Sequence, residues 1–125
     1  MNPRDESALR EIVRLCLSGE QLAARGRDWY FGDTENVPGL AAESLIIKIG
    51  ENVARLSAEL IDTQAQVPWS QIKRMRDHLA HHYEGTDYDA VWDTLVGDLP
   101  TIRAQIELVL RGELAQHRSQ KSNAH

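Results

Sequence analysis

The longest apolar seam of the chain lies in residues 40–61, which read LAAESLIIKIGENVARLSAELI. Apolar residues recur there every three or four positions, the spacing that places side chains on one face of a helix. The positions that share this face are Ala42, Leu45, Ile46, Ile49, Val53, Leu56 and Leu60. We therefore predict one helix from Leu40 to Ile61, long enough to stand at the centre of a helical fold.

Gly50 interrupts this seam in the middle of the predicted helix. A glycine in a helix interior costs about 1 kcal/mol relative to alanine. The position is easiest to explain if another backbone or side chain approaches the helix closely there. The sequence thus predicts a close contact at Gly50 without identifying its partner.

The sequence on either side of this helix predicts two further helices and one loop. Residues 5–25 are predicted as a helix with one apolar stripe, and residues 28–39, with two glycines and a proline, as a loop or a short turn. Pro68 opens a third predicted helix that ends at Gly85, because proline suits a first helical turn and glycine a helix end.

Two more predicted helices follow, and no stretch shows the alternation of a strand. Asp87 caps a short helix with Trp92 on its apolar side, and Pro100 opens the last helix. The connections are short enough to make neighbouring helices antiparallel. We predict an all-α, up-and-down antiparallel helical bundle in residues 1–117, followed by a flexible polar tail in residues 118–125.

Composition restricts the class of protein. The 14 Lys and Arg residues against 19 Asp and Glu residues give a net charge of −5, which disfavours a protein that coats nucleic acid with a broad basic surface. The single cysteine, Cys16, cannot form an intramolecular disulfide, as suits a reducing cytosol. No signal sequence appears, and every apolar run is far shorter than the ~20 residues of a membrane span. We predict a cytoplasmic protein with no membrane partner.

Residues 74–83, RMRDHLAHHY, concentrate basic and aromatic side chains at the end of the third predicted helix. The simplest interpretation is a solvated polar face, since cations favour a helix C-terminus. A metal site is a second interpretation, because His78 and His82 stand four residues apart on one face. That pattern lacks a third ligand, and nearby arginines oppose a cation.

Phosphodiester chemistry on RNA is the third interpretation of the cluster. The ribose 2′-hydroxyl can serve as nucleophile without a metal, if one group takes its proton and another protonates the leaving oxygen. Histidine suits this work because its pKa lies near neutrality, and the planar fork of arginine can stabilise the charge on the transition state. Lys73, Arg74 and Arg76 supply a local preference for phosphate.

Helix geometry constrains this interpretation. At about 100° per residue, Tyr83 falls within about 20° of Arg76, whereas His81 lies about 140° away from it. One straight helix therefore cannot bring all three side chains together. Either the chain leaves helical geometry near His81, or two copies pack in a two-fold dimer and complete each other's site.

The spacing of Arg76, His81 and Tyr83 matches the R-x4-H-x-Y motif of the HEPN superfamily, and the chain resembles specifically the HepT-like toxins encoded beside a minimal nucleotidyltransferase antitoxin. Three segments carry the resemblance: IKIGENVARLS at 47–57, VPWSQIKRMRDHLAHHY at 67–83 and DYDAVWDTLVGDLP at 87–100. Together the similarity covers about residues 5–114.

The resemblance implies a homodimer of helical bundles with metal-independent ribonuclease activity and no cofactor. It implies that Arg76 and His81 are the catalytic pair and that Asp77 helps to orient them. It also implies that the cognate nucleotidyltransferase attaches AMP to Tyr83, which blocks the RNA cleft. The partners are then RNA, the antitoxin and a second copy of the chain, as in a type VII-like toxin–antitoxin pair.

Other residues near the motif receive weaker assignments. Glu51 follows Gly50 as in the family, and we interpret it as a support for the cleft, with Arg76 as one candidate partner. Lys73 and Arg74 are predicted RNA phosphate contacts. His78 and His82 either bind RNA or have no role, while Trp69 and Trp92 are predicted core residues. The alternative function is a non-catalytic dimeric module that partners a nucleotidyltransferase or binds nucleotides.

Overall fold

The computed structural model describes residues 1–80 and 85–123, and the side chains of residues 1–79 and 85–112. Every regular element in these ranges is helical, as predicted. The helices are α1 Pro3–Ala24, α2 Arg27–Phe31, α3 Val37–Ala54, α4 Ala58–Thr63, α5 Trp69–Ala80, α6 Tyr88–Asp93 and α7 Leu99–Asn123, and a π turn spans Thr94–Asp98.

Helix α3 stands at the centre of the bundle, between α1 and α5, and α7 packs on α1. Its predicted seam forms the core, because Ala42, Ile46, Ile49 and Val53 are all buried. Each buried aliphatic side chain stabilises the fold by about 1.5–3 kcal/mol relative to an exposed one. The all-α bundle is thus confirmed, with the apolar face of α3 as its main packing surface.

The predicted helix of residues 40–61 is wrong in one respect, since it is divided into α3 and α4. Ser57 leaves helical geometry at a ψ of 152° and caps α4, where its Oγ accepts a hydrogen bond from the Leu60 N–H at 3.2 Å. The buried Asp5 carboxylate accepts from Ser57 N at 2.9 Å and from Ser57 Oγ at 2.5 Å. The bond from Ser57 N needs this residue outside the helix interior, because there the N–H would bond the carbonyl four residues before it. The acceptor is 52 residues away, so the local apolar pattern could not reveal the break.

The segment predicted as a loop or a short turn contains the five-residue helix α2, and α3 begins at Val37, before the predicted start. Tyr30 of α2 is fully buried, and its ring lies 4.7 Å from that of Trp92. Aromatic packing of this kind stabilises a short helix that its own sequence would not. Trp92 is half-buried and Trp69 is buried, in agreement with the predicted core roles.

The predicted boundaries around α5 and α6 are confirmed where the structure describes them. α5 begins at Trp69, directly after Pro68, and Asp87 caps α6 by accepting hydrogen bonds from the N–H groups of Asp89 and Ala90. Gly85 has a φ of +111°, a left-handed conformation that glycine adopts without strain.

α6 and α7 are joined by the π turn, so the two predicted helices run as one helical stretch. Pro100 has no N–H, and in an α-helix its ring would clash with the carbonyl of Val96. The wider turn over Thr94–Asp98 absorbs this defect without a break. α7 continues to Asn123 and so includes most of the segment predicted as a polar tail. Within the described ranges, no helix combines the length and the hydrophobicity that a bilayer span requires.

Candidate active site

Arg76 lies on α5 where that helix contacts the C-terminal third of α3, at Gly50. A Cβ atom built on Gly50 would lie 2.2 Å from Arg76 Cβ and 2.7 Å from Arg76 Cγ, far inside normal contact distance. The bare backbone of Gly50 therefore lets the stem of the arginine pack directly on α3. The close contact predicted at Gly50 is confirmed, and its partner is a residue of the motif.

The guanidinium of Arg76 is held near the neighbouring carboxylate. Arg76 Nε lies 2.8 Å from Asp77 Oδ1, and the two side chains are 27% and 52% exposed. The Nε atom is buried and has no aligned hydrogen-bond acceptor among the described residues, so the contact is one between charges. Such a half-exposed pair adds little stability, about 0–1 kcal/mol. The pair does place the Asp77 carboxylate next to the guanidinium, which is the position that Asp77 needs if it orients Arg76.

The other predicted support and phosphate contacts are exposed side chains. Glu51 lines an open groove of about 760 Å³ between α1 and α3, together with Arg4, Lys48 and Arg55. Lys73 and Arg74 are exposed on α5 within one turn of Arg76. The structure thus places Lys73 and Arg74 beside the motif, and it places Glu51 on a surface shared with α1.

Of the three histidines in residues 74–83, the structure describes only His78. His78 lines a small cavity of about 90 Å³ with residues of α3, α5 and α6. His81, His82 and Tyr83 lie in residues 81–84, outside the described residues. In the part of the chain that is described, no three His, Cys, Asp or Glu side chains form a group suited to a metal ion. Because His82 is outside that part, the alternative of a metal site stays a prediction.

One polar contact next to the motif was not predicted from the sequence. The Glu43 carboxylate on α3 accepts hydrogen bonds from Thr86 Oγ1 at 3.0 Å and from the Tyr88 hydroxyl at 2.8 Å. Burial raises the pKa of Tyr88, and the hydrogen bond to Glu43 and its negative charge raise it further. The only sequence signal for Glu43 is its position seven residues before Gly50, on the same face of α3.

A family model and individual relatives match the chain. The model described as "Ribonuclease HepT-like" matches residues 33–109. A protein of Caldanaerobacter subterraneus subsp. tengcongensis, provisionally named as an RNase, is 37% identical over 108 residues, which cover 84% of this chain and 93% of that protein.

Two further relatives match a shorter part of the chain. A protein of Methanocaldococcus jannaschii, also provisionally named as an RNase, is 38% identical over 63 residues, 50% of this chain and 52% of that protein. One of Thermococcus cleftensis, provisionally named ribonuclease HepT, is 32% identical over 59 residues, 47% of this chain and 54% of that protein. These two matches therefore span about half of each relative. No solved structure matches the chain.

Proposed function

This chain belongs to the HepT-like family of ribonucleases, and from that premise we propose that it cleaves RNA without a metal ion as the toxin of a toxin–antitoxin pair. The observation that supports the site most directly is the packing of Arg76 on Gly50. This contact fixes the stem of a permanently charged side chain to the central helix. A fixed cation is what the charge on a phosphorus-centred transition state requires.

In the proposed reaction, the 2′-hydroxyl of RNA attacks the adjacent phosphorus, and the bond from phosphorus to the 5′-oxygen breaks. One His81 takes the proton of the 2′-hydroxyl, and a second protonates the leaving 5′-oxygen. Arg76 stabilises the charge on the phosphoryl oxygens, and Asp77 orients Arg76. Because each chain has one His81, two histidines in one cleft require a homodimer.

The surrounding residues have secondary roles in this proposal. Lys73 and Arg74, exposed beside Arg76, contact RNA phosphates outside the reacting group. Glu51 supports the cleft from α3. A cognate minimal nucleotidyltransferase silences the toxin in the cytoplasm by attaching AMP to Tyr83. The added phosphate places bulk and negative charge where the RNA phosphate binds.

Cleavage in the presence of a chelator tests the proposed activity. The purified protein is expected to cut a single-stranded RNA in EDTA as fast as it does with added Mg²⁺, because arginine and histidine supply the charge and the proton transfers. A magnesium-dependent nuclease in the same buffer is the control and should be silent in EDTA. RNA binding without cleavage by the wild type would instead favour the non-catalytic module, and activity that returns only with zinc would favour a metal site at His78 and His82.

The mass of the protein tests control through Tyr83. Co-expression with a neighbouring nucleotidyltransferase should add the mass of one or more adenylyl groups to the wild type and none to Tyr83→Phe. Tyr30→Phe is a suitable control, since Tyr30 is buried in the core, and it should be modified like the wild type. Inhibition of cleavage without any gain of mass would show that the antitoxin acts by binding alone.

A further inference from the structure

Glu43 joins the central helix to the chain that follows the motif. Its two carboxylate oxygens are each used, one by the Thr86 hydroxyl and the other by the Tyr88 hydroxyl. The three side chains are half-buried, and 43 and 45 residues separate the bonded pairs in sequence. These bonds therefore form a tertiary contact between α3 and the start of α6, and not a local turn.

Glu43 and Gly50 lie on the same face of α3, and each contacts one of the two segments that flank residues 81–84. Seven residues correspond to nearly two helical turns, so the two positions differ by about 20° around the helix and lie about 10.5 Å apart along it. Gly50 contacts Arg76 before residues 81–84, and Glu43 binds Thr86 after them. The segment that carries His81 and Tyr83 is thus attached to one helix face at both ends.

The chemistry of Glu43 is that of an acceptor for neutral donors. Among the described residues, no Lys, Arg or His forms an ion pair with its carboxylate, and both recorded partners are hydroxyl groups. A carboxylate repels RNA phosphate, which argues against a direct contact with the substrate. A half-buried carboxylate that accepts hydrogen bonds from two hydroxyl groups can hold the segment that carries those hydroxyls, here Thr86 and Tyr88, in one position.

We propose that Glu43 is a positioning residue of the ribonuclease site, acting through Thr86 and Tyr88 on the chain that carries His81 and Tyr83. This inference rests on the proposed function, because it concerns the same site. With the carboxylate present, the C-terminal flank of the motif is held at one distance from Arg76. Without it, that flank loses these two hydrogen bonds to α3.

Replacing Glu43 with alanine is expected to lower kcat by about 10- to 100-fold, since displacements of about 1 Å at a reacting group have effects of this size. KM should stay within about twofold, because the phosphate contacts are unchanged. Glu43→Gln is expected to restore most of the rate, since an amide can pair with two hydroxyls that each donate or accept. Assays are run in EDTA at a temperature where every variant is folded.

Two tyrosine variants give a matched comparison. Tyr88→Phe removes a hydroxyl that bonds Glu43, and it should lower kcat and leave KM unchanged. Tyr30→Phe removes a buried hydroxyl that lies near Tyr88 and Glu43 but has no hydrogen-bond partner among the described residues, and it should cleave at the wild-type rate. If Glu43→Ala does not fold, the combined Thr86→Val and Tyr88→Phe variant carries the same test, because it removes both donors.

Hydrogen exchange of a peptide covering residues 81–88 gives a readout that does not depend on cleavage. Exchange should be faster in Glu43→Ala than in the wild type, and unchanged in Tyr30→Phe. If the wild type cuts RNA and Glu43→Ala has the same kcat and the same rate of hydrogen exchange, the positioning role is overturned. A wild type that does not cut RNA would overturn the proposed function, while the exchange comparison would still decide whether Glu43 holds this segment.

Discussion

Arg76→Ala is expected to reduce RNA cleavage on the order of 10²- to 10³-fold, the usual effect of removing one donor that stabilises a transition state. His81→Ala should have an effect at least as large, because it removes both the base and the acid from the shared cleft. Arg76→Lys should recover only part of the loss, since lysine keeps the charge without the planar fork. The measurement is kcat/KM on one defined RNA in EDTA, with growth inhibition followed in parallel.

Arg111→Ala is the matched control for the loss of a positive charge. Arg111 is exposed on α7 in a separate groove between α1 and α7, and its removal should leave cleavage unchanged. Thermal unfolding of each variant shows whether a lost rate reflects a lost fold. Arg76→Ala removes a half-exposed ion pair, for which about 0–1 kcal/mol is expected, and the packing of the Cγ atom on α3, which adds a further loss of stability. Cleavage that persists in both Arg76→Ala and His81→Ala would show that the site has been assigned to the wrong residues.

Mixing wild-type chains with His81→Ala chains tests the shared cleft. Because the proposed reaction uses one His81 from each chain, a mixed dimer lacks either the base or the acid and should be inactive. Random mixing of equal amounts should then leave about a quarter of the activity of the same number of wild-type chains, because a quarter of the dimers contain two wild-type chains. Activity of about one half, or a monomer that cleaves RNA, would contradict a site built across the two-fold axis.

The sequence predicted the helices of this fold better than their tertiary contacts. The apolar spacing of α3 identified its buried face, because that spacing reflects helix geometry alone. It could not show the break before α4, which depends on the buried Asp5 carboxylate from α1. It also missed α2, whose buried Tyr30 packs on Trp92 from a helix some 60 residues away.

The candidate site was predicted to a similar degree. The sequence predicts a close contact at Gly50 because a glycine inside a helix lowers stability unless its small size is needed for packing. The apolar periodicity does not identify the helix that packs there. The structure identifies it as α5, at Arg76. Glu43 was missed because an acidic residue on a helix is usually solvated, and its partners Thr86 and Tyr88 come close only in the folded chain.

Gly50→Ala is expected to destabilise the protein, although alanine is the better helix former. The gain in helix propensity is about 1 kcal/mol. The new methyl group would lie 2.2 Å from Arg76 Cβ, 2.7 Å from its Cγ and 3.5 Å from its Cα. These atoms are close to the backbone of α5, so the helix itself must move. Overpacking of this kind costs about 1–3 kcal/mol, and a contact this short belongs at the upper end.

The net loss for Gly50→Ala should thus be about 2 kcal/mol, which lowers Tm by roughly 5–10 °C in a domain of this size. Well below that temperature, kcat should still fall by about tenfold or more, because α5 carries Arg76 away from its place in the cleft. Gly112→Ala is the matched control: no described residue lies within 4 Å of its added Cβ on α7, so the better helix former should raise Tm slightly and leave cleavage unchanged. If Gly50→Ala were also stabilising and fully active, α5 would not pack on α3 at this point, and the proposal that Gly50 fixes the position of Arg76 would be wrong.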